Sequence, residues 1–179
     1  MKEPTIILLG SRVEEIDARC IAEGIDSRKL MYNAGKAVAD KIISELLSGE
    51  TKNFIKGLVI CGSGNNGGDG FVAAMELLKA GMDIDVFCIS QAEKFSADTR
   101  FYFEQINAAS ASKVVFLDIS KKDNEELFAE KLAAGRFVVD AIFGTGLRGS
   151  KIRGQAAEII SLVNSAKQAA KLSKKDFTV

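Results

Sequence analysis

Four short apolar runs do most to limit what this chain folds into: residues 57–61 (GLVIC), 83–90 (DIDVFCIS), 113–117 (KVVFL) and 136–143 (RFVVDAIF). They read as continuous apolar stretches rather than period-two alternations. Strands of that kind are buried on both faces, which implies a mostly parallel sheet covered by helices on each side. The segments between them carry helical spacing. Residues 70–80 place Phe71, Ala74, Leu77 and Leu78 on one stripe, closed by Gly81. Residues 96–109 read as a helix, Ser120 caps another that reaches about Ala134, and a further helix covers 153–165. The expected fold class is therefore α/β: a Rossmann-like three-layer α/β/α domain with a mostly parallel sheet.

Two helices precede the first run. Ser11 with Glu14 three residues on has the capping-box pattern. Val13, Ile16, Cys20 and Ile21 then recur at helical spacing, and Gly24 suits a C-cap. A second helix starts at Asp26 or Ser27, carries Leu30, Met31, Ala34, Val38, Ile42 and Leu46, and stops near Gly49. At the other end, residues 176–179 read as the start of one more strand. The lysines from Lys167 to Lys175 read as a solvated face or tail.

The 179 residues fit a single domain, 1–179, with 47% hydrophobic residues to fill a core. Lys+Arg 24 balances Asp+Glu 24, so no basic surplus favours nucleic acid. The absence of histidine excludes His metal ligands, His general bases and Ser-His-Asp triads. Three cysteines without CxxC spacing rule out a disulfide framework and suggest a reducing, cytoplasmic setting. No stretch approaches the roughly 20 apolar residues of a membrane helix. The apolar run at 5–9 is too brief for a signal sequence.

Two loops are placed to carry chemistry. The first, GSGNNGGDG at 62–70, follows a strand and opens a helix; Gly62, Gly64 and Gly67 match G-x-G-x-x-G. Glycines there permit positive φ and close backbone approach, and a helix N-terminus offers N–H groups to a phosphate. No Lys-Ser or Lys-Thr follows, so it is not a Walker A loop. The next strand ends in Ser90 and Gln91 without the acid that holds an NAD ribose, with Asp85 too early, so ordinary NAD binding is disfavoured. Asn65, Asn66 and Asp69 suggest hydrogen bonding to a sugar or amide, or an oxygen-lined cation site. The plain alternative is that Asn65 and Asn66 tolerate left-handed conformations and Asp69 caps the helix.

The second loop, DAIFGTGLRGS at 140–150, contains Asp140 in an otherwise apolar strand, an arrangement that calls for pairing or coordination of the carboxylate. Gly144, Thr145, Gly146, Leu147, Arg148, Gly149 and Ser150 follow; the backbone suits an anion nest and Arg148 a phosphate clamp. A structural turn is the alternative. If the two strands are neighbours, Asn66 and Asp140 face one pocket.

These two loops, together with LMYNAG at 30–35, resemble the NAD(P)H-hydrate epimerase family, also known as the YjeF N-terminal domain family. The resemblance spans about residues 8–165. It implies a Rossmann-like fold, usually as a homodimer, and interconversion of the R and S forms of hydrated NADH or NADPH. It implies contacts to that substrate from Asn65, Asn66, Gly67, Gly68 and Asp69, and from the loop 144–150. It also implies a potassium ion held by Asn66 and Asp140, and a dehydratase that is fused or acts as a partner. The family's VDIPSG-like segment, with the expected catalytic aspartate, is not found; residues 175–179 resemble the strand expected after it, so an internal or C-terminal portion after about residue 165 is expected to be lacking. Asp69 is then the remaining carboxyl to weigh as a catalytic group, with Asp140 read as a cation ligand. Tyr32 stands where the family usually has Glu. The competing reading is a non-catalytic nucleotide-binding or protein-interaction module on the same fold. RNA binding through the GxxG at 64–67 is weak at zero net charge.

Overall fold

A computed structural model describes residues 10–46, 55–109, 114–147, 151–173 and 178–179. In chain order the elements are α1 (Gly10–Ala22), α2 (Ser27–Leu46), β1 (Lys56–Cys61), α3 (Asn65–Lys79), β2 (Asp83–Cys88), α4 (Ala97–Ala109), β3 (Val114–Phe116), α5 (Lys122–Ala134), β4 (Phe137–Ala141) and α6 (Gln155–Ser173). The four apolar runs are the four strands. They form one parallel sheet in the order β3-β2-β1-β4, with Cys61 level with Cys88 on one side and with Ala141 on the other.

Alternate strand residues point to opposite faces, and each face has its own core. Val59, Cys61, Val86 and Cys88 pack with Phe71 and Val72 of α3, Tyr102 and Ile106 of α4 and Met31 and Ala39 of α2. Leu58, Ile60 and Phe87 pack with Phe128 and Leu132 of α5 and Ile159 and Val163 of α6. Phe87 meets Phe128 edge to face, with ring centroids 5.1 Å apart. Helices on both faces of a parallel sheet make the three-layer α/β/α arrangement expected from the sequence.

The chain order carries a reversal. From β1 the chain moves outward to β2 and β3, then crosses back to β4 on the other side of β1. The helices leaving β1 and β4, α3 and α6, lie on opposite faces. Above the carboxyl ends of β1 and β4 no helix from either side closes the gap, so a crevice opens there. Beyond β4, Thr178 donates its N–H to Arg136 and accepts one from Val138, pairing parallel to the strand. The chain thus returns to the sheet beside β4 after α6.

Several local expectations are refined. α1 ends as the glycine predicts: Gly24 has φ +92° and the N–H of Ile25 bonds back to Cys20. Asp26 caps α2 through the N–H of Arg28 at 2.9 Å. Ser120 does not cap α5; its N–H and hydroxyl both turn to Asp118, and the helix starts at Lys122. α6 runs on to Ser173, with Lys167 and Lys171 on its exposed side. Among the described residues no helix is long and apolar enough to cross a membrane.

Candidate functional site

The glycine-rich stretch is mostly helix. α3 begins at Asn65, with Gly64 as its N-cap and no side-chain cap. Its glycines do not supply positive φ; the described glycines that do are Gly24, Gly81 and Gly154. Nor are Asn65 and Asn66 left-handed, and Asp69 sits inside the helix rather than capping it. The glycines serve close approach instead. A Cβ on Gly67 would strike the carbonyl oxygen of Gly62, one on Gly68 the sulfur of Met31, and one on Gly70 would lie 2.6 Å from the Cβ of Ala141 and 2.9 Å from the Sγ of Cys61. The first turn of α3 is therefore pressed onto the sheet and onto α2. Met31 and Gly35 of the LMYNAG motif form the other half of that contact, so the third motif packs α3 and does not line the crevice.

Two polar links fix this turn. The Ser96 hydroxyl lies 2.9 Å from Oδ1 of Asn65, and the fully buried Thr99 donates its hydroxyl to the carbonyl of Gly64 at 3.0 Å. Nothing in the sequence marked Ser96 or Thr99, because a hydroxyl gains such a role only from tertiary placement. Asn66 makes the link that matters most: its Nδ2 donates to the carbonyl of Phe143 at 2.9 Å, tying the first loop to the second. Gly62 adds a backbone bond to Ala141 at 3.0 Å.

The result is an open cleft of about 890 Å³ at the strand-order reversal. From the two motifs it is lined by Asn65, Asn66, Asp69, Gly144, Thr145, Gly146 and Leu147. Ile89 and Ser90, at the end of β2, close a third side; Asp85 pairs with Lys131 at 3.5 Å and does not line the cleft. The fourth side is α1, through Val13, Glu14, Asp17, Ala18 and Ile21. Val13 and Ile21 of the α1 stripe face the cleft, and the helix buries no residue. Gly67 and Gly68 are buried beneath the turn. Arg148, Gly149 and Ser150 lie outside the described residues.

Asp140 does not share this cleft. It is exposed on the α6 face of the sheet and borders a separate small pocket of about 30 Å³ with Asn164 and Val179. Its Oδ1 accepts the N–H of Ile142 at 3.1 Å. Asn66 and Asp140 thus bracket the segment Ile142–Phe143 from two sides. Among the described residues no three or more His, Cys, Asp or Glu gather into a metal site.

Two features give the cleft its electrostatics. The first N–H groups of α3 have no partner inside the helix and no side-chain cap, so the positive end of the helix opens at Asn65 and Asn66. Against it stand three carboxyls, Glu14, Asp17 and Asp69, and no described Lys or Arg. Burial, with the neighbouring charge of Asp17, pushes the Asp69 carboxyl up to about 7. Beneath the cleft, burial drives the Cys61 thiol well above its ordinary range and that of Cys88 up to about 12, leaving both inert at neutral pH.

The family described as YjeF-related protein N-terminus matches residues 27–174. The chain belongs to this family. The bifunctional NAD(P)H-hydrate repair enzyme Nnr of Moorella thermoacetica is 35% identical over 142 residues, which cover 79% of this chain and 26% of that one. The NAD(P)H-hydrate epimerase of Pirellula staleyi is 31% identical over 152 residues, covering 84% of this chain and 63% of that one. The crystal structure of the yeast protein YNL200c superposes with a TM-score of 0.78 at 26% identity, covering 92% of this chain and 67% of that one. The chain thus spans about a quarter of the bifunctional relatives and under two thirds of the epimerase.

Proposed function

We propose that this chain is the epimerase module that interconverts the R and S forms of hydrated NADH and NADPH. The observation that carries the proposal is the joining of both loop motifs, through Asn66 and the carbonyl of Phe143, around one dinucleotide-sized cleft. The relatives named above support the substrate, since their names contain it.

The chemistry asks little covalent help of the protein. An acid protonates the C6 hydroxyl, the C6–O bond breaks, and the ring nitrogen's lone pair forms an iminium. Water then adds to the other face of C6 and gives its proton to a base. The first turn of α3 offers N–H groups to the pyrophosphate. Asn65, Asn66 and the loop 144–147 are placed to fix the ribose and ring, with Arg148, Gly149 and Ser150 completing that loop in this reading. Ser90, in place of an acid at the end of β2, sets this cleft apart from that of an ordinary NAD dehydrogenase.

A potassium ion would take the side-chain oxygens of Asn66 and Asp140 as ligands. The two side chains border separate cavities, so the described residues do not form a cage and no step runs through the ion. A cytoplasmic location agrees with the three free cysteines. A homodimer and a dehydratase partner complete the proposal.

The test is to mix the R hydrate with the full-length protein and follow S by chromatography. Conversion faster than the spontaneous rate supports the epimerase. An unchanged rate with nucleotide binding intact supports the non-catalytic module instead.

A further inference from the structure

We infer that Ser96 and Thr99 are positioning residues that turn the Asn65 carboxamide so that its oxygen faces the cleft, where it accepts a hydrogen bond from a ribose hydroxyl of the ligand. The inference rests on the dinucleotide reading of the cleft. Four polar groups are linked in series. The Asn65 carboxamide lies 2.9 Å from Ser96 Oγ, Ser96 Oγ 2.8 Å from Thr99 Oγ1, and Thr99 Oγ1 3.0 Å from the carbonyl oxygen of Gly64. Each of these contacts needs a proton between its two heavy atoms. The Gly64 carbonyl only accepts, and it already takes the N–H of Gly67. Thr99 therefore gives its single hydroxyl proton to Gly64. Ser96 then supplies the proton between the two hydroxyls, and it has no second one for Asn65. The remaining proton comes from the amide. A half-turn about χ2 exchanges the two amide atoms without moving the rest of the side chain, so Nδ2 takes the place beside Ser96. Every contact in the series is then filled, and Oδ1 stands on the side away from Ser96.

The series is pinned at both ends. Ser96 stands just before α4, and its Oγ accepts the N–H of Thr99 at 3.3 Å as an N-cap does. That uses one lone pair of Oγ and leaves the other for the Asn65 amide. The Ser96 N–H bonds to the carbonyl of Ser63 at 3.1 Å, so the start of α4 is tied to the glycine-rich turn. Thr99 is fully buried and Ser96 half-buried, so little water competes for the pair of hydroxyls. Asn65 itself is exposed and lines the cleft. Its neighbour is set the same way. Asn66 spends an N–H on the carbonyl of Phe143, so that amide too carries its nitrogen against the protein. The side chains at the start of α3 thus offer oxygen, while the backbone of the same turn offers N–H groups. A phosphate oxygen suits the second and is repelled by the first; a sugar hydroxyl suits the first. A dinucleotide carries both, a pyrophosphate flanked by ribose hydroxyls. Removing the Thr99 hydroxyl would lift the bias, because Ser96 could then give its proton to the amide oxygen and let the amide turn an N–H to the cleft.

The experiment measures the affinities of ADP-ribose and of inorganic pyrophosphate for the full-length protein and for its Thr99→Val and Thr99→Ser variants, by calorimetry. Valine keeps the shape of threonine and lacks the hydroxyl. In Thr99→Val the preference for ADP-ribose over pyrophosphate falls by about 3- to 10-fold, the worth of one neutral hydrogen bond. Thr99→Ser restores the preference. A loss of packing alone weakens both ligands together, so an unchanged or rising ratio in Thr99→Val overturns the inference. Should Thr99→Val not fold, NMR of the Asn65 side-chain amide in the unmodified protein decides. An Hδ2 proton that exchanges slowly with water and shows a nuclear Overhauser contact to Ser96 Hβ supports the inference; two fast-exchanging Hδ2 protons without that contact overturn it. No binding of ADP-ribose to the unmodified protein removes the dinucleotide reading, whereas binding with an unchanged ratio removes this inference alone.

Discussion

Replacing Asp69 by Asn should make the protein more stable above about pH 4, with the full gain reached above about pH 7. The carboxyl binds its proton more tightly folded than unfolded, with its ordinary 3.8 raised to about 7. Between those values the native state holds more protons, so stability falls as pH rises through that window. Below about pH 4 the group is neutral in both states and costs nothing. Above about pH 7 it is ionised in both and the full penalty applies. A shift of roughly 3 units at about 1.4 kcal/mol each gives about 4 kcal/mol. The carboxyl touches cleft water, so about 2–4 kcal/mol is expected. Asparagine has the same shape and no charge to desolvate. Urea unfolding at about pH 3.5, 6 and 8.5 should show the variant nearly level with the parent at the lowest pH and ahead of it by that amount at the highest. A difference that ignores pH, or a parent that gains on the variant as pH rises, would refute the electrostatic reasoning.

Gly67→Ala should lower stability by about 1–3 kcal/mol and weaken nucleotide binding further, because its Cβ has only the Gly62 carbonyl to move into; an unchanged melting temperature and affinity would show that the turn has slack. Phe128→Ala should cost about 3–5 kcal/mol in urea unfolding, since the ring is fully buried against Phe87, while analogue affinity of the folded fraction stays put. A thiol reagent should modify Cys20 rapidly in the native protein and reach Cys61 and Cys88 only after unfolding; fast labelling of a second thiol would mean that the sheet opens under the cleft.

Much of the architecture was legible because it follows from burial. Strands covered on both faces must be mainly apolar, and 57–61, 83–90, 113–117 and 136–143 are, with Asp83, Asp85, Lys113, Arg136 and Asp140 the charged exceptions. The early start of α3 was not legible: Gly and Asn are poor helix formers, and only the packing of Gly67, Gly68 and Gly70 against Gly62, Met31 and Ala141 makes that turn helical. The same local reading cut α6 short at Ser165, although no glycine or proline stops it before Ser173. Asp140 was grouped with Asn66 by motif. Strand parity separates them, since Asp140 is level with Ile60, which faces α6. For α1 the apolar stripe revealed that the helix has a side to cover, but not that a cleft covers it.

The cleft is thereby assembled from parts of unequal permanence. Three of its sides issue from the ends of strands buried in the core. The fourth, α1, buries nothing and precedes Ser27, where the family match begins. Evolution, or a protein engineer, is free to rewrite Val13, Asp17 or Ile21 and alter what the crevice accepts while the scaffold beneath goes on folding as before.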